Sequence, residues 1–171
     1  MPWGIRPRVP NGGRFEGYGE RMRPLIDRAG HDFETEALVV RTDFSDDGAW
    51  RVVVEQLAEG CAEYERDTHV VDDRAFDGAS PEEVVLSTLL GDPRLEVVFL
   101  ADAASMRGEY ALLAVSTRDE ELEEGDDELG CVFRLLPALV NEMHVNLAIG
   151  HLDFWEYAHA AAQDPGHILR T

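Results

Sequence analysis

Leu38-Val39-Val40-Arg41-Thr42-Asp43-Phe44-Ser45-Asp46-Asp47-Gly48-Ala49-Trp50 is the stretch that decides the fold. It opens on a short apolar run, breaks at an Asp-Phe-Ser turn and passes into a helical pattern. Trp50, Val53, Val54, Leu57, Cys61 and Tyr64 recur on one face of a helix for about four turns. A short buried strand followed by an amphipathic helix is the opening of a β-α-β unit. Ser45 is the expected N-cap, with Asp46 and Asp47 placed where a helix dipole favours acids.

The pattern repeats outward from there. His69-Val70-Val71 reads as a second strand and Leu95–Leu100 as a third. Between them Ser80-Pro81-Glu82-Glu83 is a capping box with proline at the first helical position, opening a helix that stops at Gly91. Strands alternating with helices predict a parallel sheet with helices on its faces. The next strand, Tyr110–Val115, follows too soon for a parallel crossover, so it is expected to be antiparallel or at an edge. A fifth strand is expected at Cys131–Leu135. Helices follow after Pro137 and after Asp153-Phe154-Trp155-Glu156, a second cap signature. The fold class is therefore α/β: a mixed, mainly parallel sheet of about five strands. Trp50, Val54, Leu57, Val97, Phe99 and Leu113 are the expected core.

Charge divides the chain. It has 171 residues with 15 basic against 35 acidic side chains, a formal charge of −20, and every basic residue is arginine. Residues 1–30 hold six arginines against three acids, so the remainder carries −23. We read residues 1–35 as a basic, Pro/Gly-rich arm and 36–171 as one α/β domain. The arm is expected either to dock, on its own body or through homo-oligomer contacts, or to remain without structure. A strongly acidic body repels nucleic acid and anionic membranes and attracts a basic protein partner. The absence of lysine excludes Schiff-base chemistry and a Walker-type phosphate lysine. No apolar run is long enough to span a membrane, and the N-terminus lacks a signal-peptide pattern. Cys61 and Cys131 suit reduced core positions, so a cytoplasmic location is expected.

No complete catalytic motif is present, and no catalytic residue is assigned. Cys/His spacing does not suit zinc, and no glycine-rich phosphate loop follows a strand, so no cofactor and no structural metal are expected. The acidic run 119–128 lacks the register of a calcium loop. Four acids, Asp43, Asp72, Asp73 and Asp102, fall where parallel strands should end, the usual ligand position in open α/β sheets. The plainer reading of each is a turn or cap residue. Arg41 and Arg134 lie inside strands and require a carboxylate partner or an exposed edge. His144, His151 and His159 are read as surface or capping histidines.

Arg41-Thr42-Asp43-Phe44-Ser45-Asp46-Asp47 with Trp50, Val71-Asp72-Asp73 with Phe76 and Gly78, then Asp102, Phe133-Arg134, Asn146-Leu147, Asp153-Phe154, Gly166 and Arg170 together resemble a family of uncharacterised bacterial domains common in actinobacteria. The resemblance covers about residues 36–170 and leaves the basic arm outside. It implies a fold unit and no reaction, and directs attention to Arg41, Asp43, Asn146 and Asp153. The candidate ligand-binding set is Arg41, Asp43, Asp72, Asp73, Asp102, Asn146 and Asp153. Two functions compete: an acidic interaction module, immunity-like or regulatory, and a small-molecule enzyme or binding domain using the strand-end carboxylates.

Overall fold

In the computed structural model, residues 22–62, 67–118 and 132–171 are described. Tyr64, the acidic run 119–128, Cys131 and residues 1–21 lie outside them. The elements follow in the order β1 (Leu38–Arg41), α1 (Asp47–Ala62), β2 (His69–Val71), α2 (Pro81–Gly91), β3 (Val97–Ala101), β4 (Leu112–Ser116), β5 (Val132–Leu135), α3 (Val140–Ala148), α4 (Phe154–Gln163) and β6 (Ile168–Leu169). One sheet carries six strands in the order β2-β1-β3-β4-β5-β6.

The pairing explains the sheet's polarity. β1 is parallel to β2 and β3, β4 is antiparallel to both β3 and β5, and β6 is parallel to β5. Only β4 is reversed, so the other five strands end at one common carboxyl edge. The short 102–111 connection forces the reversal, but β4 sits inside the sheet and not at its edge. The sixth strand was not expected. Ile168-Leu169 is too short for a periodicity signal. It forms because the Asp164 carboxylate accepts the Gly166 and Ile168 N–H groups at 2.8 and 3.3 Å, turning the chain back beside β5.

Alternating side chains give two cores. Val39, Val97, Phe99, Leu112, Phe133 and Leu135 face α1, α3 and α4. Leu38, Val40, Val98, Leu100 and Val115 face α2, Phe76 and Ile26. Trp50, Leu57, Val97 and Phe99 are buried as expected. Val54 is 38% exposed, because the outer side of α1 has no layer to cover it. Leu113 is only half-buried, on the α2 face. The caps of α2 and α4 form as read, with Ser80–Glu83 and Asp153–Glu156 boxes. At α1 the side chain that caps is Asp46, accepting the Ala49 N–H at 2.9 Å. Ser45 instead donates to the Asp43 carboxylate.

Arg23 to Ile26 pass along α2, and residues 28–36 then turn beside His69 and His144 before entering β1. Arg23 donates to the Ala75 and Asp77 carbonyls, each at 3.0 Å, beside a 3₁₀ turn at Arg74–Phe76. Ile26 N–H donates to the Ser87 carbonyl at 3.1 Å. Its own carbonyl lies so close to Gly91 that a Cβ there would overlap it. Gly91→Ala therefore has to push this segment off α2 and is expected to cost about 1–3 kcal/mol. Urea denaturation checks it; an unchanged midpoint would mean that the segment does not seat there.

Candidate functional site

Arg41 is the last residue of β1, and its side chain follows Val39 onto the α1 face. Arg41 is 3% exposed, and all three guanidinium nitrogens are engaged. Nε donates to the Asp43 carbonyl at 2.9 Å, one terminal nitrogen to Asp72 at 3.3 Å and the other to Asp47 at 2.6 Å. The second Asp72 oxygen accepts the Trp50 indole N–H at 3.0 Å. Phe44 lies over the guanidinium at 4.3 Å from its ring centre, and Trp50 at 5.2 Å. Phe44 also stacks with Arg74, at 5.1 Å. Arg41's hydrogen bond and charge hold the Asp47 carboxyl below its ordinary range. The knot joins β1, α1 and β2 at the carboxyl edge.

Beside it, Trp50, Arg51, Val54, Glu55, Val70 and Asp72 line an open groove of about 540 Å³ between α1 and the outermost strand β2. The sequence-derived set divides around this edge. Arg41, Asp43 and Asp72 come together, although Asp43 contributes its carbonyl and turns its carboxylate to Ser45. Asp73 caps the 3₁₀ turn through the Ala75 N–H. Asp102 follows β3 on the opposite face, held by Arg134 at 3.0 and 2.7 Å and by the Ser105 N–H at 3.0 Å. Burial alone would raise the Asp102 pKa; the Arg134 hydrogen bonds and charge outweigh it and lower the value. Asn146 donates to the Tyr157 hydroxyl at 2.8 Å, and Asp153 caps α4. Neither reaches Arg41, because α3 runs back toward the amino edge of the sheet.

A second polar cluster at that amino edge went unread in the sequence. Arg28, 4% exposed, donates to the Glu36 carbonyl at 2.8 Å and to His69 Nδ1 at 3.1 Å. His31 stacks on His69 with ring centres 3.7 Å apart and reaches Glu36 at 2.5 Å. Burial, then the neighbouring His31 and Arg28, push His69 down to about 4. His144 is no surface residue: it is 2% exposed, bonded through Nε2 to the Phe33 carbonyl at 2.8 Å, and lowered by burial to about 4. The only sequence signal for this cluster is that Arg28, His31 and Glu36 stand close in the chain. Their meeting with β2 depends on the segment folding back.

Among the described residues no three His, Cys, Asp or Glu side chains are arranged to hold a metal ion. Of the strand-end carboxylates, Asp72 and Asp102 pair with arginines, while Asp43 and Asp73 accept hydrogen bonds from their own turns.

The architecture defines a three-layer α/β domain whose carboxyl edge is closed by arginine–carboxylate knots. Residues 36–170 match the model of a family described as a domain of unknown function, DUF6924, and the chain belongs to that family. No curated protein matches the chain.

Arg41→Ala removes a buried guanidinium but leaves Asp47 and Asp72 partly in water. The expected loss is near 3 kcal/mol, the low end of the ~3–5 kcal/mol for breaking a buried pair. Arg41→Lys should recover only part, since one ammonium cannot serve three divergent acceptors. Chemical denaturation measures both, and an Arg41→Ala midpoint equal to wild type would remove the knot from the stability of the fold.

The histidines set an acid limit. Neutral in the folded state down to about pH 4, His69 and His144 take up protons near pH 6.5 once unfolded. Stability they supply is complete above pH 6.5 and falls as pH drops toward 4, by at most about 1.4 kcal/mol per pH unit for each. Their Cε1 proton resonances should hold neutral positions down to about pH 5 by NMR; a midpoint near 6.5 at either would refute its burial.

Proposed function

We propose that this protein is an acidic interaction module whose carboxyl edge and adjoining groove receive a basic segment of another protein. The observation that carries the reading is an apolar floor flanked by carboxylates: Glu55 and Asp72 line the groove against one arginine, Arg51, and Asp47 stands beside it on Arg41. Val54 stands 38% exposed beside Trp50 and Val70, and the Asp47 and Asp72 side chains are 69% and 45% exposed. An extended segment with arginines and an apolar anchor matches that chemistry. Charge on such a rim mainly speeds association, while the apolar anchor slows release.

The alternative, a small-molecule site built on Arg41, has less support. Every Arg41 nitrogen already has an acceptor, so an anionic ligand would first have to displace Asp47 or Asp72. Immunity-like or regulatory roles both fit a module of this kind. No helix among the described residues is long and apolar enough to cross a membrane. A cytoplasmic setting is part of the proposal, supported by the buried free thiol of Cys61.

An oligoarginine peptide carrying one tryptophan is expected to bind with strong salt dependence. Val54→Arg, which fills the groove with like charge at an exposed position, should weaken binding on the order of tenfold or more without lowering the melting temperature. Undiminished binding by that variant would move the docking surface elsewhere.

A further inference from the structure

We propose that the arginine-bearing segment before Met22 occupies the Trp50–Val54–Val70 groove of its own molecule and competes there with an outside partner. The inference rests on the reading of that groove as a docking surface and names its resident occupant.

The path of the described chain supplies the first argument. Arg23 is fastened to the Ala75 and Asp77 carbonyls and to Glu83, at 3.0, 3.0 and 3.4 Å. Ala75 and Asp77 belong to the turn that follows β2, so the chain before Met22 starts at the carboxyl edge, a few residues from Asp72 and Asp73. Met22 itself is 84% exposed. Twenty-one residues extend to roughly 70 Å, several times the width of one sheet edge.

Charge supplies the second. Residues 1–21 carry Arg6, Arg8, Arg14 and Arg21 against Glu16 and Glu20. The edge they start from carries Asp43, Asp46, Asp47, Asp72, Asp73 and Asp77, and Arg41, Arg51 and Arg74 offset only part of that charge. In Trp3-Gly4-Ile5-Arg6-Pro7-Arg8-Val9, residues two apart share a face when extended. Trp3, Ile5 and Val9 then form an apolar face opposite Arg6 and Arg8. The first face suits Val54 and Val70; the second suits the aspartate rim.

Backbone geometry supplies the third. β2 is the outermost strand, and His69 N–H donates to the Ala37 carbonyl of the chain entering β1 at 2.8 Å. In a parallel pair alternate residues bond the neighbour, so Val70 turns its N–H and carbonyl away from β1, and among the described residues no strand pairs with that edge, the kind that accepts an added strand. Pro7 is compatible with an outer strand, where its missing donor faces solvent. Tethering favours the chain's own segment over a second copy, because a short linker gives an effective concentration on the order of millimolar.

Amide exchange measured by NMR on the full chain tests this against a full-length Arg6→Ser/Arg8→Ser/Arg14→Ser variant. In the wild type, Val70 N–H should exchange on the order of tenfold more slowly than in the variant, and the difference should shrink at high salt. The ratio should not change with protein concentration. Equal rates in the two chains would overturn the proposal. So would a ratio that grows with concentration, which would make a second copy the occupant. Oligoarginine binding to the triple variant is read separately. Slow Val70 exchange in the wild type without peptide binding to the variant would leave the arm docked and remove the outside basic partner. Peptide binding blocked by Val54→Arg with equal exchange rates would keep the surface and remove the arm.

Discussion

A guanidinium buried at the end of β1 constrains everything around it. Arg41 lies at the point where three elements meet, and its charge is tolerable there only because each nitrogen has an acceptor. Asp47 comes from the first turn of α1, Asp72 from the residue after β2, and the Asp43 carbonyl from the turn between β1 and α1. Each acceptor fixes one connection: the angle at which α1 leaves the sheet, the register of β2 beside β1, and the shape of the intervening turn. Trp50 ties the first two together by packing beside the guanidinium while donating to the same Asp72 carboxylate. A lysine would present a point charge, whereas the planar fork specifies directions.

The same device recurs along the carboxyl edge. Asp102 and Arg134 join β3 to β5 across the reversed strand β4. Arg170, just past β6, meets Glu109 at 2.6 Å and Asp164 at 3.0 Å. The parallel strands thus release arginines or carboxylates at their ends, and these pair across neighbouring connections. In open α/β sheets this edge commonly holds the ligand. Here Arg41 with Asp72 and Arg134 with Asp102 are paired at that edge, and the groove lies to one side, against α1 and β2.

Much of this architecture was legible in the sequence, for identifiable reasons. The helical face of Trp50, Val53, Leu57 and Cys61, the Ser80–Glu83 box and the Asp153–Glu156 box are local signals, and local signals survive without knowledge of the fold. The demand of Arg41 for a carboxylate was also readable, since a charge in a buried strand needs one. Which carboxylates answer was not. Asp47 and Asp72 come from separate connections, and Asp43, nearest in sequence, serves through its carbonyl. Ser45 lost the cap to Asp46 because its hydroxyl was taken by Asp43. Val54 fits the helical face on paper, but α1 at the sheet's margin buries a narrower stripe than a central helix. The Arg28–His31–His69 cluster and buried His144 required knowing that residues 22–36 fold back, information that no periodicity carries.

The distribution of arginine explains why the exposed surface is so one-sided. Arg23, Arg41, Arg94, Arg118, Arg134 and Arg170 each pair with carboxylates of the same chain, while Arg28 is buried among carbonyls and His69. With no lysine to add surface cations, most of the positive charge among the described residues goes into holding connections together. A carboxylate excess of this kind raises self-repulsion and is offset only by a well-packed core. In the proposed role such a surface would select partners by sign before contact, and an apolar foothold would then decide among cationic candidates. Beside the Arg41 knot, the exposed Val54 and the outer edge of β2 are where that foothold would lie. Stability and the proposed selectivity then draw on the same residues, because Asp47 and Asp72 hold Arg41 while their side chains stay largely exposed.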